Sequence, residues 1–310
     1  MFTVRPYAQA DANAWDALVE RSRNGNLLHR RGYMDYHADR FVDQSLLVER
    51  RGETVAVFPA NIQGRTVTSH GGLSYAGLIT GDVLRAESTL AVFGQIGHHY
   101  RALGVERVVY KAVPHVFHAC PAEEELYALH RLGAQLTRRD LSSVISLQEP
   151  IHFTPGRRHA VDKARRAGIH VQSGADPQAF HALLSEALRK HDALPTHSLA
   201  ELRLLQARFP QQIVLHEARR GEDLLAGVLV YDFGKVVHTQ YMAVSEQGRH
   251  LDALNFLLAE LIENTYATRR HFSFGVSTEQ EGRVLNGGLV AQKEYFGARA
   301  VVHDFYEWRL

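Results

Sequence analysis

The chain has 310 residues, with 35 Lys plus Arg against 34 Asp plus Glu and a formal charge of +1. So balanced a charge argues against bulk electrostatic capture of DNA, and a single cysteine, Cys120, excludes an internal disulfide and a cysteine-cluster zinc site. A hydrophobic fraction of 45% supports real cores, and the length suits two domains of about 150 residues each.

The opening residues carry no apolar run of signal-peptide length, and no later run reaches membrane-span length. The expectation is a soluble, cytoplasmic protein. The 19 histidines include the neighbours His98 and His99 and the pair His115 and His118. No third ligand falls in register with either pair, so no metal site is expected.

Taken in order, the chain reads the same way twice. A short strand (2–5) leads to a helix with Asp11 at its N-cap, then a second helical stretch (32–40). A three-strand meander begins at Ser45 and turns through Arg-Arg-Gly-Glu. A helix (90–103), a strand (106–111), a further helix and a last strand complete this half. From residue 169 the order repeats: strand 169–172, Asp176 as N-cap, helix 199–209, a meander from Ile213, helix 254–268, strand 271–276, helix and strand. Asp11–Val19 matches Asp176–Leu184, Val48–His70 resembles His216–Tyr241, and Leu129–Ser143 matches Lys293–Glu307. Three matches in the same order point to a duplicated domain.

The expected domains are therefore 1–150 and 169–310. The linker, 151–168, carries Arg157, Arg158, Lys163, Arg165 and Arg166 on a short helix after Pro155 and Gly156, two structure breakers. That face reads either as a solvated basic surface joining the domains or as a phosphate contact at the interdomain cleft. An antiparallel meander followed by strand-helix-strand predicts an α/β (α+β) fold with mixed sheets flanked by helices.

The element order of each half resembles the GNAT acyltransferase fold, and two halves in tandem resemble its FemAB-like branch. That branch includes peptidoglycan aminoacyl transferases and acyltransferases of polysaccharide clusters. The residues that carry the resemblance are Ser69–Ile79 (SHGGLSYAGLI), Tyr110–Ala134, His238–Arg249 (HTQYMAVSEQGR) and Phe272–Ala298 (FSFGVSTEQEGRVLNGGLVAQKEYFGA). It implies transfer of an acyl group from acyl-CoA, acetyl-CoA first, to an amine. The implied acceptor is an amino sugar or amino-acid-like molecule, nucleotide-linked forms included, in cell-surface polysaccharide synthesis. Two positions depart from the family pattern. Ser273 stands where members often have Asp, and His250 occupies the second small position of the pyrophosphate loop.

The resemblance also implies where the donor lies: where strand 237–244 diverges from strand 271–276. Val244, Gln247, Gly248, Arg249 and Asn286 are the candidate cofactor-binding residues, since a helix N-terminus and an arginine favour phosphate. The same residues equally suit a capped loop with Gly248 as a turn. Lys293, one turn before the helix-ending Gly297, is the candidate acid or oxyanion holder. In the other half Leu129 takes its place, and a helix-surface lysine favoured by the dipole is the plain alternative. His238, Tyr241 and Glu279 are candidate bases. His70, Tyr75, Lys111, His118, Gln240 and Gln292 are candidate acceptor-binding residues.

Two other functions compete with this reading. An aminoacyl-tRNA could replace the CoA thioester, though near-zero charge and the lack of a long helical hairpin weigh against tRNA. A duplicated fold that binds a ligand or partner without catalysis is the third, kept in play by Ser273.

Overall fold

A computed structural model describes residues 2–190 and 192–310. The chain separates into two compact units. The first comprises residues 1–141, 280–284 and 302–310; the second comprises 142–279 and 285–301. The C-terminal segment Val302–Leu310 thus belongs with the first half of the sequence, not with residues 169–310. Its Trp308 and Tyr306 are apolar anchors of the first unit's core.

In the first unit β1 (Phe2–Pro6) leads to α1 (Ala12–Arg21) and the short α2 (Arg31–Met34). Strands β2 (Val42–Asp43), β3 (Leu46–Arg50), β4 (Glu53–Phe58), β5 (Asn61–Gln63), β6 (Thr66–Thr68) and β7 (Ile79–Thr80) follow. Then come α3 (Ala86–Ala102), β8 (Arg107–Lys111), α4 (Glu124–Arg131) and β9 (Gln135–Ser146), whose last residues enter the second unit. The expected three-strand meander breaks after Phe58. β4 pairs with β3 and β7, whereas β5 and β6 pair with each other and β6 passes to β8. Pro59 follows the break, and a proline cannot donate to a ladder. The helix expected over 32–40 is likewise only α2 and a 3-10 segment with non-helical dihedrals at His37.

α3 buries Val92, Phe93, Ile96 and Tyr100, spaced for one helix face. Gly97 on that face lies against the Trp308 ring, where a Cβ would sit 2.8 Å from it. Glu125 in α4 is buried, with one carboxyl oxygen lacking a hydrogen-bond partner among the described residues. Burial pushes its pKa up to about 8.

The second unit begins its helices with α5 (Pro155–Arg166), capped by Thr154. Pro155 stands at the first helical position, so it starts this helix where the sequence suggested a break. β10 (His170–Ser173), α6 (Gln178–Arg189), α7 (Leu199–Arg208), β11 (Ile213–Arg220), β12 (Asp223–Asp232) and β13 (Val236–Val244) follow. Then come α8 (Glu246–His250), α9 (Ala253–Glu260), β14 (His271–Val276), β15 (Thr278–Glu279), β16 (Val284–Leu285), α10 (Gly287–Glu294) and β17 (Arg299–Arg309); Val284 and the part of β17 from Val302 onward belong to the first unit.

Here the meander is unbroken: β10, β11, β12 and β13 pair antiparallel in that order. β14 joins parallel to β13, and its other edge pairs antiparallel with Ser142–Ser146 of β9. One face packs on α9 and α5 through Val228, Val230, Val237, Phe272, Leu257 and Val161. The other face takes α6, whose Phe180 ring sits so close to Gly227 that a Cβ there would lie 2.4 Å from it.

α5 is amphipathic in charge as well as in bulk. Val161 and Ala164 are buried. Arg158 pairs with Glu263 at 2.6 Å, Lys163 with Asp252 at 2.8 Å, and Arg165 with Glu260 at 3.4 Å. Three of the five cations on the linker helix are therefore ion-paired within the second unit.

Candidate functional site: a cleft where two strands part

β13 and β14 run together for three residue pairs only, Val236–His271, Val237–Phe272 and His238–Ser273. Beyond His238 no strand covers that edge of β13 among the described residues. The N–H and C=O groups of a bare edge remain available to a ligand. Just past the divergence Gln240 is the extra residue of a bulge, since Thr239 faces Val230 and Tyr241 faces Leu229. A bulge strengthens local twist and re-aims the strand.

Past the bulge, the end of β13 borders a cleft of about 790 Å³. Met242, Ala243 and Val244 of β13 form its floor, with Leu184, Ala187 and Leu188 of α6 and Leu254 of α9 as apolar walls. Its polar lining is Arg157, Gly248, Arg249, Asp252, Asn255, Glu279, Asn286 and Gln292. Gly248 is required by packing, because a Cβ there would lie 2.1 Å from the Leu225 carbonyl oxygen. The N-terminus of α8 is partly spent on itself: the Ser245 hydroxyl accepts from the Gly248 N–H at 3.0 Å. Asp252 then adopts a left-handed conformation, φ 56°, and separates α8 from α9.

Six sequence candidates thus line one cleft: Val244, Gly248, Arg249, Asn286, Glu279 and Gln292. Glu279 accepts a 2.7 Å hydrogen bond from the Asn286 side chain, whose oxygen caps α10 at Leu289. Gln247 is exposed on α8 and is not part of the lining.

Lys293 lies elsewhere than expected. It is 3% exposed, and its ammonium donates to the carbonyls of Gly275 (2.8 Å) and Val276 (2.9 Å) and to the Ser277 hydroxyl (2.7 Å). Three donors meet three acceptors, so the lysine pins the end of β14 to the segment that carries Glu279. Burial lowers its pKa to about 8.

His238 and Ser273 share a 3.1 Å hydrogen bond at the point of divergence, and Gly275 allows the histidine ring close by. The Tyr241 hydroxyl meets His197 Nδ1 at 2.6 Å, and burial raises the tyrosine pKa. Neither His238, Gln240 nor Tyr241 lines the cleft.

The first-unit candidates are interior groups. Tyr75 is buried against Phe117 and accepts from the Asn26 amide at 3.0 Å, and burial raises its pKa. His70 is buried between His37 and Phe41 at a left-handed φ of 51°, and its pKa falls to about 3 through burial and then His37. Lys111 donates to the Leu73 carbonyl, and burial, then Arg138, lowers its pKa to about 7. His118 Nε2 meets the Val113 carbonyl at 3.0 Å.

The duplication extends to the divergence itself. In the first unit β6 and β8 also run parallel for three pairs, Thr66–Arg107 to Thr68–Val109. There the opening is taken by the chain. Ser69 N–H donates to the Val109 carbonyl, its hydroxyl accepts from the Lys111 N–H, and Ala76 N–H donates to the Lys111 carbonyl. Leu78 N–H reaches the Tyr110 hydroxyl. One copy keeps an open fork and the other is plugged by residues 69–78.

The open copy coincides with the match to known proteins. Residues 156–282 match the family model described as an acetyltransferase (GNAT) domain. The solved structure of FemX superposes with a TM-score of 0.70 at 13% identity, covering 99% of this chain and 97% of that one. L-PGS from Bacillus licheniformis gives 0.63 at 14% identity over 98% and 93%. A tandem GNAT protein from the clavulanic acid biosynthesis pathway gives 0.56 at 11% over 100% and 98%. No curated protein matches the sequence. At these identities the likeness is one of fold: a mixed α/β architecture of the tandem GNAT kind.

Among the described residues no group of three or more His, Cys, Asp and Glu side chains converges as a metal site. None of their helices is long and apolar enough to cross a membrane.

Proposed function

We propose that the protein is an N-acyltransferase that binds an acyl-CoA in the second-unit cleft and acylates the amine of a small acceptor. The fork between β13 and β14 carries this reading, because it opens an uncovered strand edge beside a cleft with apolar walls and arginines. The residues fit the donor: Met242, Leu184 and Leu188 suit a pantetheine arm, and Arg157 and Arg249 suit phosphates.

When bound, an acyl-CoA supplies a thioester whose acyl carbon an amine can attack, with the thiol as leaving group. The chain's part is to orient and to move protons. The bare edge of β13 offers peptide N–H groups to the acyl oxygen. Glu279, held by Asn286, takes the proton that the amine loses, and that proton passes to the departing sulfur, so the thiol leaves neutral. Lys293 acts as a positioning residue: by tying down Gly275, Val276 and Ser277 it fixes where Glu279 stands. Gln292 is placed to hydrogen-bond the acceptor. An amino sugar or amino-acid-like acceptor, in cell-surface polysaccharide synthesis, is the substrate class the sequence resemblance favours.

Thiol release from acetyl-CoA, measured across a panel of amino sugars, nucleotide-linked amino sugars and amino acids, tests this. Amine-dependent release is the expected result. Transfer that requires an aminoacyl-tRNA, with no CoA binding, would replace the donor and overturn the reading.

A further inference from the structure

α5 carries its cations in two different settings. Arg158, Lys163 and Arg165 each meet a carboxylate of the α9 region. Arg157 does not. It lines the cleft, and its Nη1 donates to the Asn255 side-chain oxygen, a neutral partner. Asn255 in turn donates to Asp252 at 3.1 Å, while Asp252 also holds Lys163. The nearby acid is thus already engaged, and the amide stands between it and Arg157.

The guanidinium lies over the Phe296 ring at 4.5 Å and the Tyr295 ring at 5.6 Å, which fixes its plane. Its Nε is buried without a hydrogen-bond partner among the described residues. Burial lowers its pKa, with Asp252 opposing. A half-buried arginine, stacked rigid and facing a cleft with donors unspent, is arranged for an anion that arrives from outside.

Resting on the acyl-CoA reading above, we propose that Arg157 is a phosphate-binding residue of the donor cleft, gripping the CoA phosphates together with Arg249. The planar fork suits a phosphate bidentately. This divides the cleft into a charged end, where α5 meets α9, and an apolar end along β13 and α6. The linker helix thereby supplies a ligand-binding residue as well as packing.

The test is calorimetric titration of CoA and of pantetheine, which lacks the phosphates, into wild type, Arg157→Gln, Arg157→Ala and Arg158→Ala. Arg157→Gln retains a side chain able to reach Asn255 and keeps the test valid if the alanine variant fails to fold. CoA affinity is expected to fall about 10- to 100-fold in both Arg157 variants, the range for loss of one charge-assisted phosphate contact. Pantetheine affinity should stay unchanged, and Arg158→Ala should bind as wild type.

CoA binding unaltered in Arg157→Gln overturns the role of Arg157 alone. An equal loss for pantetheine overturns it too, since the effect is then one of cleft shape. Wild type that binds neither molecule overturns the donor reading and this inference with it. Inorganic pyrophosphate, titrated in that case, shows whether an Arg157-dependent anion site exists independently of CoA.

Discussion

Glu125→Gln should stabilise the protein by an amount that grows with pH. The carboxyl is buried in α4, and burial, reinforced by Glu124 and Glu123, raises its pKa from 4.5 to about 8. Between those values the folded protein holds a proton that the unfolded chain has released. Stability therefore falls as pH rises from about 4.5 towards 8, the sign for an acid whose folded pKa is raised. At ~1.36 kcal/mol per pH unit the penalty is about 3 kcal/mol near pH 7 and about 5 kcal/mol above pH 8. Glutamine keeps the shape of the neutral acid and removes the titration. The duplicated copy has Leu289 at the matching position, so the site does not need a carboxyl to complete the helix. Urea unfolding of both proteins, followed at about pH 5, 7 and 8.5, checks this. A stability gap of the same size at all three pH values would refute the assignment of a buried, proton-holding Glu125.

The remaining expectations concern the second-unit cleft. Glu279→Gln should lower turnover by about 10²- to 10⁴-fold with little change in the KM for acetyl-CoA, the range for a lost general base. Lys293→Met leaves the Gly275 and Val276 carbonyls without their donor, at about 1–3 kcal/mol for each unsatisfied group. Hydrogen exchange over residues 275–286 should speed up in that variant, and turnover should fall while overall fold by circular dichroism is retained. Unchanged exchange there would remove Lys293 as the anchor. Gly248→Ala must displace the Leu225 carbonyl, since 2.1 Å is far inside contact distance. It should weaken CoA binding at least about tenfold in the same calorimetry, because the backbone bordering the cleft has to move.

Much of this architecture was legible in the sequence because it rests on local pattern. Strand 237–244 and strand 271–276 were read almost to the residue, as was the helix in the linker. Their signals are alternation, turn residues and repeated spacing, which act over short distances. What the sequence hid depends on partners far along the chain. Lys293 looked like a solvent-facing or reactive cation, and nothing local shows that three oxygens sixteen to eighteen residues earlier occupy its ammonium. Arg157 looked like one of five equivalent bases on a helix. Only the positions of Glu263, Asp252 and Glu260 distinguish it from its neighbours. The break in the first meander follows Pro59, whose missing N–H is a local signal that the repeated pattern alone does not carry. Leu184, Leu188 and Met242 in the cleft carried no signal, since apolar residues on a helix and a strand are read as core.

The plugged fork of the first unit has a thermodynamic consequence. A ligand raises the stability of whatever it binds by RT ln(1 + [L]/Kd), about 2.7 kcal/mol at a hundredfold excess over Kd. The first unit has already filled its own opening with Ser69–Leu78, so its internal ligand is covalently attached and permanently saturating. On the acyl-CoA reading proposed above, donor binding would protect only the second unit. The second unit's stability would then answer to the concentration of a small molecule, and the first unit's would not.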